Sequence, residues 1–233
     1  MNIAIIPARG GSKRIPRKNI RSFCGRPMIK FAIEAGLKCG EIDHVIVSTE
    51  DDEIARLAQG FGADVPFRRP KTLADDSTPT IPVIQHAIDE CQRLGIRPEN
   101  VCCIYPCVPF IRATDLGKAL ALLTAKNQRG YTFPVAQFPA PIQRALRRKE
   151  DHTVSPFMAS NVETRTQDLE PAFFDAGQFY WARTTTWIAG DAAYTNGSTI
   201  VLPEWRVVDI DTPEDWERAE LLFQALTKKG AVR

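Results

Sequence analysis

The chain has 233 residues, 44% of them hydrophobic and 25% charged, with 30 Lys and Arg against 28 Asp and Glu. That length can bury one sizeable core, and the composition is ordinary for a globular domain in water. No apolar run approaches the roughly 20 residues that span a bilayer, so no membrane partner is expected. Ile3–Ile6 is too short for a signal peptide, and its positive charges follow it, so a cytoplasmic location is expected.

The charge is unevenly placed. Arg9, Lys13, Arg14, Arg17, Lys18, Arg21, Arg26 and Lys30 all precede the first acid, Glu34, so the remaining 200 residues carry 22 bases against 28 acids. A cluster of this kind calls for an anionic partner. Nucleic acid is not expected, because its binding needs a broader basic surface than one loop on an otherwise acidic chain. The six cysteines (Cys24, Cys39, Cys91, Cys102, Cys103, Cys107) contain no C-x-x-C pair and read as buried free thiols. The three histidines are scattered, and a nucleophilic triad has no support.

In chain order, Ile3–Pro7 is a strand that enters the loop Ala8-Arg9-Gly10-Gly11-Ser12-Lys13-Arg14. Two adjacent glycines without Cβ atoms would let backbone N–H groups approach an anion closely. Pro27-Met28 opens a helix to about Leu37. His44–Ser48 is a second strand, and Thr49 is placed to cap a helix whose first turn is acidic. Ala63–Phe67 reads as a third strand, Thr80–Leu94 as a helix, Val101–Tyr105 as a strand, Asp115–Leu123 as a helix and Tyr131–Ala136 as a strand. Strands separated by helices imply parallel βαβ units, hence a single Rossmann-like, doubly wound α/β domain with a mostly parallel sheet. Ligands of such sheets bind at the carboxyl ends of the strands, where the basic loop lies.

Residues 138–174 break the alternation with four prolines and the basic run 144–149, and read as a flap or dimer arm. Strands at Gln178–Trp181, Thr199–Leu202 and Val207–Ile210 follow, then a helix opened by the capping-box sequence Thr212-Pro213-Glu214-Asp215. On a strand, Asp209 and Asp211 would share a face roughly 7 Å apart with Ile210 turned to the core. Such a pair suits Mg²⁺ bound with substrate phosphates, while helix capping by Asp211 is the alternative. A cationic loop and an acidic pair together describe metal-assisted phosphoryl or nucleotidyl transfer. A glycosyltransferase using Asp209-Ile210-Asp211 as a D-x-D motif is a rival, as is a non-catalytic nucleotide-binding module.

At these residues the chain resembles the CMP-sugar synthetases, which activate acidic eight- and nine-carbon keto sugars. The family pattern A-R-x-x-S-K-x-x-x-x-K-N stands here as Ala8, Arg9, Ser12, Lys13, Lys18 and Asn19. Val47-Ser48-Thr49, Arg69-Pro70, Asp76–Thr80 and Asp209–Thr212 follow in family order. Arg14–Asn19, Val65–Pro70 and Asp175–Trp181 resemble the members that act on pseudaminic acid. The resemblance implies a homodimer that moves CMP from CTP to an acidic sugar and releases pyrophosphate. Legionaminic acid, N-acetylneuraminic acid and KDO are the alternative acceptors. It places Arg9, Ser12 and Lys13 on the CTP phosphates, with Ala8, Gly10 and Gly11 also expected to bind the nucleotide, and Lys18 at the reacting phosphate, in catalysis with Arg9 and Asp211. Asn19, Arg69 and Thr80 would position cytidine, and Asp209 and Asp211 would bind Mg²⁺. Tyr105, Arg112, Gln178 and Tyr180 are expected near the acceptor. Tyr105 stands where sialic-acid members have glutamine, which disfavours N-acetylneuraminic acid and suits a deoxygenated sugar. Either Arg112 or Lys18 could face the acceptor's carboxylate.

Overall fold

A computed structural model of the protein describes residues 1–125, 130–194 and 196–230. Within them the strands are β1 (Asn2–Pro7), β2 (Ser22–Phe23), β3 (Arg26–Pro27), β4 (His44–Ser48), β5 (Asn100–Ile104), β6 (Thr132–Gln137), β7 (Leu146–Arg148), β8 (Val154–Pro156), β9 (Phe173–Asp175), β10 (Phe179–Arg183) and β11 (Ser198–Val201). The α-helices are α1 (Ile29–Lys38), α2 (Asp52–Gly60), α3 (Thr80–Arg93), α4 (Ala113–Thr124), α5 (Thr184–Ala189) and α6 (Pro213–Lys228).

The central sheet runs β11-β6-β10-β5-β1-β4, with β9 paired to β6. Strands β4, β1 and β5 are parallel, β10 runs against β5 and β6, and β11 is parallel to β6. The result is a mixed, mostly parallel α/β sheet. Side chains alternate across it as strand geometry requires. Ala4, Ile6, Cys102, Ile104, Phe179 and Trp181 face one core with α1, α2 and α4. Ile3, Ile5, Val101, Cys103, Tyr180 and Ala182 face the other with α3 and α5. This two-sided burial explains why β1 and β5 read as unbroken apolar runs.

A third core lies outside the sheet. Ile15, Phe23, Met28 and Phe31 from the amino-terminal region meet Phe110, Ile210 and the α6 residues Trp216, Ala219 and Phe223. Phe23 packs edge-on to Phe31, Trp216 and Phe223. The basic loop and the segment ahead of α6 are therefore folded against each other.

Three sequence expectations are corrected. Ala63–Phe67 forms only a bridge, Asp64 to Ile46, with Asp64 N donating to Val45 O and Val47 N donating to Asp64 O. Asp51, not Thr49, caps α2, accepting N–H bonds from Glu53 and Ile54 at 2.9 Å each, while Thr49 Oγ1 accepts from Asp51 N. Val207–Ile210 forms no strand and pairs with no described strand. Its alternation signal came from Ile210 packing into the third core. Residues 138–174 do leave the sheet, forming the separate β7–β8 hairpin before β9 returns to pair with β6.

Gly36 on α1 has no room for a larger residue, since a Cβ there would sit 2.9 Å from Val45 Cγ2 on β4. Gly36→Val is expected to lower stability by about 1–3 kcal/mol in urea unfolding, despite glycine's low helix propensity.

Candidate active site

The carboxyl ends of β1 and β5 open on a cleft of about 480 Å³ lined by Arg9, Ser12, Lys13, Arg14, Lys18, Asn19, Arg69, Thr80, Tyr105 and Asp211, among others. β1 delivers the loop that carries the cations, and Ala8 N donates to Ser48 O at 3.0 Å to fix its start beside β4. Arg17 adopts a left-handed conformation (φ 56°), after which the chain turns back with Ile20 N and Arg21 N both bonded to Arg17 O. Its guanidinium is clamped by Asp51 at 2.5 Å and Glu53 at 2.6 Å, at the start of α2.

Every loop cation that lines the cleft has an acidic partner. Arg9 and Lys13 both meet Asp76, the latter at 2.6 Å. Arg14 Nη1 lies 2.9 Å and Lys18 Nζ 3.4 Å from the Asp211 carboxylate, and Lys18 also donates to Ile210 O at 2.7 Å. Asp76 is held below its ordinary carboxyl value by its bonds to Lys13 and Arg9. These pairs are solvent-accessible and individually weak, so a multiply charged anion could replace the carboxylates.

Asn19 Nδ2 donates to Arg9 O at 2.9 Å and its Oδ1 accepts from Cys107 Sγ at 3.4 Å. Arg69 is almost fully buried, donating to Ser48 O and, at 3.5 Å, to Leu73 O. Burial lowers its proton affinity, and Glu50, 4.0 Å from Nε, opposes that shift. Thr80 Oγ1 and Tyr105 OH are 3.1 Å apart, and burial pushes the Tyr105 phenol up to about 12.

The other expected residues lie around this cleft rather than in it. Ala8 is fully buried, and Gly10 and Gly11 do not line it. Gly10 N donates to Glu50 Oε1 at 2.7 Å, and a Cβ there would meet Asp51 Oδ2 at 2.5 Å. The first glycine thus makes room for the Arg17–Asp51 clamp, and its backbone N–H is taken up by the Glu50 carboxylate. Gly11 has open space around it. Gln178 and Asp209 line an adjoining cavity of about 440 Å³ that shares Tyr105 with the first. Tyr180 lines a small aromatic recess of about 150 Å³ with Thr80, Tyr105 and Tyr194. Its hydroxyl donates to Asp175; burial, then that bond, holds it far above the usual phenol value. Arg112 lines a separate groove between α1 and α4 and lies 5.9 Å from the Trp205 ring centroid.

Asp209 and Asp211 therefore border two neighbouring cavities instead of sharing one strand face. Asp211 does not cap α6: Thr212 accepts from Asp215 N at 3.2 Å, and Asp215 Oδ2 takes Thr212 N at 2.9 Å. Sequence reasoning missed Asp76 and Cys107 as cleft neighbours. Asp76 was visible only as part of an acidic-hydroxyl stretch. Among the described residues, no group of three or more His, Cys, Asp or Glu side chains is arranged around one point for a metal. A site made of two carboxylates plus substrate oxygens would not need one.

The family model described as cytidylyltransferase matches residues 3–185. The chain belongs to the cytidylyltransferase family. It is 40% identical to a pseudaminic acid cytidylyltransferase of Campylobacter jejuni over 96% of both chains. It is 28% identical to a CMP-N,N'-diacetyllegionaminic acid synthase of Legionella pneumophila, over 95% of this chain and 96% of the other. Among solved structures, CMP:2-keto-3-deoxy-manno-octonic acid synthetase complexed with CTP superposes with a TM-score of 0.71 at 16% identity, covering 96% of this chain and 98% of that one. The last match speaks for the fold. This cytidylyltransferase is accordingly a nucleotidyltransferase enzyme, and no helix among its described residues is long and apolar enough to cross a membrane.

The Arg17–Asp51 clamp holds the Asp51 carboxyl down at about 2, chiefly through the Arg17 hydrogen bond. A depressed folded pKa adds stability above the unfolded value near 3.8 that is lost as pH falls toward 2. The stability difference between wild type and Asp51→Asn, about 2 kcal/mol at pH 6, should shrink toward zero between pH 4 and 2 in urea unfolding.

Proposed function

We propose that this enzyme transfers CMP from CTP to the anomeric hydroxyl of an acidic nonulosonic sugar, with pseudaminic acid as the acceptor. The observation that carries the reading is the cleft in which Arg9, Lys13, Arg14 and Lys18 gather beside Asp211 at the strand ends. The choice of sugar is supported by the 40% identity to a pseudaminic acid cytidylyltransferase and by Tyr105, an aromatic residue at the junction of the cavities.

In this scheme the triphosphate takes the place of Asp76 as partner of Arg9 and Lys13, and Ser12 adds a hydroxyl. Lys18 stands at the α-phosphate. Asn19, Arg69 and Thr80 position the nucleoside, each already fixed by contacts to the loop, to β4 or to Tyr105. The sugar hydroxyl attacks the α-phosphorus in line, forming the new P–O bond as the bond to the β-phosphate breaks and pyrophosphate leaves. The protein's work is orientation and charge stabilisation.

Asp209 and Asp211 would hold Mg²⁺. Partial burial, and then the charge of Asp211, raises the Asp209 carboxyl above its ordinary value. A divalent cation relieves that crowding, so the residues fit the ion. When bound, Mg²⁺ neutralises charge on the substrate phosphates. Arg14 and Lys18 keep the Asp211 side chain oriented toward the cleft meanwhile.

The protein is further proposed to be a cytoplasmic homodimer, with residues 138–174 as the arm. Leu146, Val154 and Phe157 are all more than half exposed there, an apolar surface that a second copy would cover.

Incubation with CTP, Mg²⁺ and separate pseudaminic, legionaminic, N-acetylneuraminic and KDO acids should release pyrophosphate fastest with pseudaminic acid. CTP labelled at the α-phosphate should leave its label in the sugar product. Label in pyrophosphate, or no turnover with any of the four, rejects the reading. Lys18→Ala, folded by circular dichroism, should lose about tenfold to a hundredfold in kcat/KM, the worth of one charge-assisted phosphate contact.

A further inference from the structure

The segment that carries Asp209 and Asp211 lacks the usual means of holding a strand in register. It pairs with no described strand, so the sheet does not fix its position. Its carboxyl end is secured by the Thr212–Asp215 capping box and its middle by Ile210 in the third core. At its amino end stands Arg206, whose side chain is only 4% exposed. The guanidinium meets the Asp115 carboxylate, itself 7% exposed, and donates to Phe110 O at 3.1 and 3.3 Å. The backbone carbonyl of Arg206 accepts from Gln178 Nε2 at 2.7 Å.

One residue thus joins the first turn of α4, the loop after β5 and the start of β10 to the acidic segment. The loop it grips is the one that begins with Tyr105 and Pro106 at the cleft. A buried ion pair is a poor source of stability, since apolar residues of similar volume often replace one without loss. What it supplies here is direction: a planar donor group satisfied from two sides has one placement.

We propose that the Arg206–Asp115 pair is a positioning strut that sets Asp209 and Asp211 against Lys18 and the bound nucleotide. The proposal rests on the nucleotidyl-transfer reading above for its kinetic consequence, and on geometry alone for its structural one. Removing one partner strands a buried charge, so the informative variant is the apolar double Arg206→Met/Asp115→Leu.

That variant should fold and keep its KM for CTP within about twofold, because Arg9, Lys13, Asn19 and Arg69 are untouched. Its kcat should fall at least about tenfold and its half-saturating Mg²⁺ rise about tenfold, the usual result of displacing catalytic groups by about 1 Å. A crystal structure should show the contact from Lys18 Nζ to Ile210 O opened beyond hydrogen-bonding distance. Should the double variant fail to fold, Arg206→Lys keeps the charge but loses one of the two carbonyl and carboxylate contacts. It should lose kcat by a smaller factor, again at unchanged KM for CTP. An intact Lys18–Ile210 contact in the folded double variant overturns the strut, as does wild-type kcat in either variant. Absence of pyrophosphate release from wild-type enzyme overturns the functional reading instead, and the crystallographic distance still decides the strut.

Discussion

The arrangement depends on one hydrophobic constraint, the burial of Ile15 and Ile210 in the same aromatic cluster. Ile15 lies in the middle of the basic loop and Ile210 lies between two aspartates. Neither side chain has solvent exposure above 2%. Burying each is worth roughly 1.5–3 kcal/mol. That is sufficient to bring like charges within the loop close together, a configuration that would be unfavourable in an unanchored chain. Lys18 then bonds to Ile210 O across 192 positions of sequence. The apolar contact acts without regard to direction: it brings the two segments together and leaves the angle at which their polar groups meet to other contacts.

The same constraint accounts for the electrostatic state of the cleft. Gathering Arg9, Lys13, Arg14 and Lys18 at the carboxyl end of the sheet creates a strong positive field, and the chain supplies Asp76 and Asp211 within reach of it. Both carboxylates are about one-third exposed, so water screens the pairs and neither acid is locked in place. The contrast with Arg17 is instructive. Its partner Asp51 also caps α2, and the carboxylate is committed by three sets of donors, from Arg17, Glu53 N and Ile54 N. Within one loop, then, some cations serve the architecture and others are held by partners that can be exchanged.

Much of this was legible in the sequence where local signals coincide with the fold. The apolar runs of β1, β4 and β5, the helical spacing of α3 and the capping box of α6 all register at short range. The loop motif of Arg9, Ser12, Lys13, Lys18 and Asn19 did so as well, and these residues do come together. The failures have a common cause. Gly10 read as a close backbone approach to a ligand, but a glycine records only that space is needed, and here Asp51 fills it while Glu50 takes the N–H. Val207–Ile210 read as a strand because alternation arises wherever one side chain is buried and its neighbours are not. Arg206 and Asp115 gave no signal, being 91 residues apart with no periodicity linking them.

The positions that resisted sequence reading are those where two distant elements share a polar contact out of water. Hydrophobic contacts tolerate approximate partners, so their pattern is redundant and can be read from composition along a window. A buried guanidinium tolerates only a matched acceptor in one geometry, and that information is carried by a single pair. Arg206 has two such acceptors and a third bond on its own carbonyl. A segment that must present carboxylates at a set distance from a cation, and that has no sheet ladder to hold it, gains most from fixation of this kind. The fold thus assigns its two classes of force to different tasks: apolar burial brings the ends of the chain together, and a few buried polar contacts set the angle at which they face.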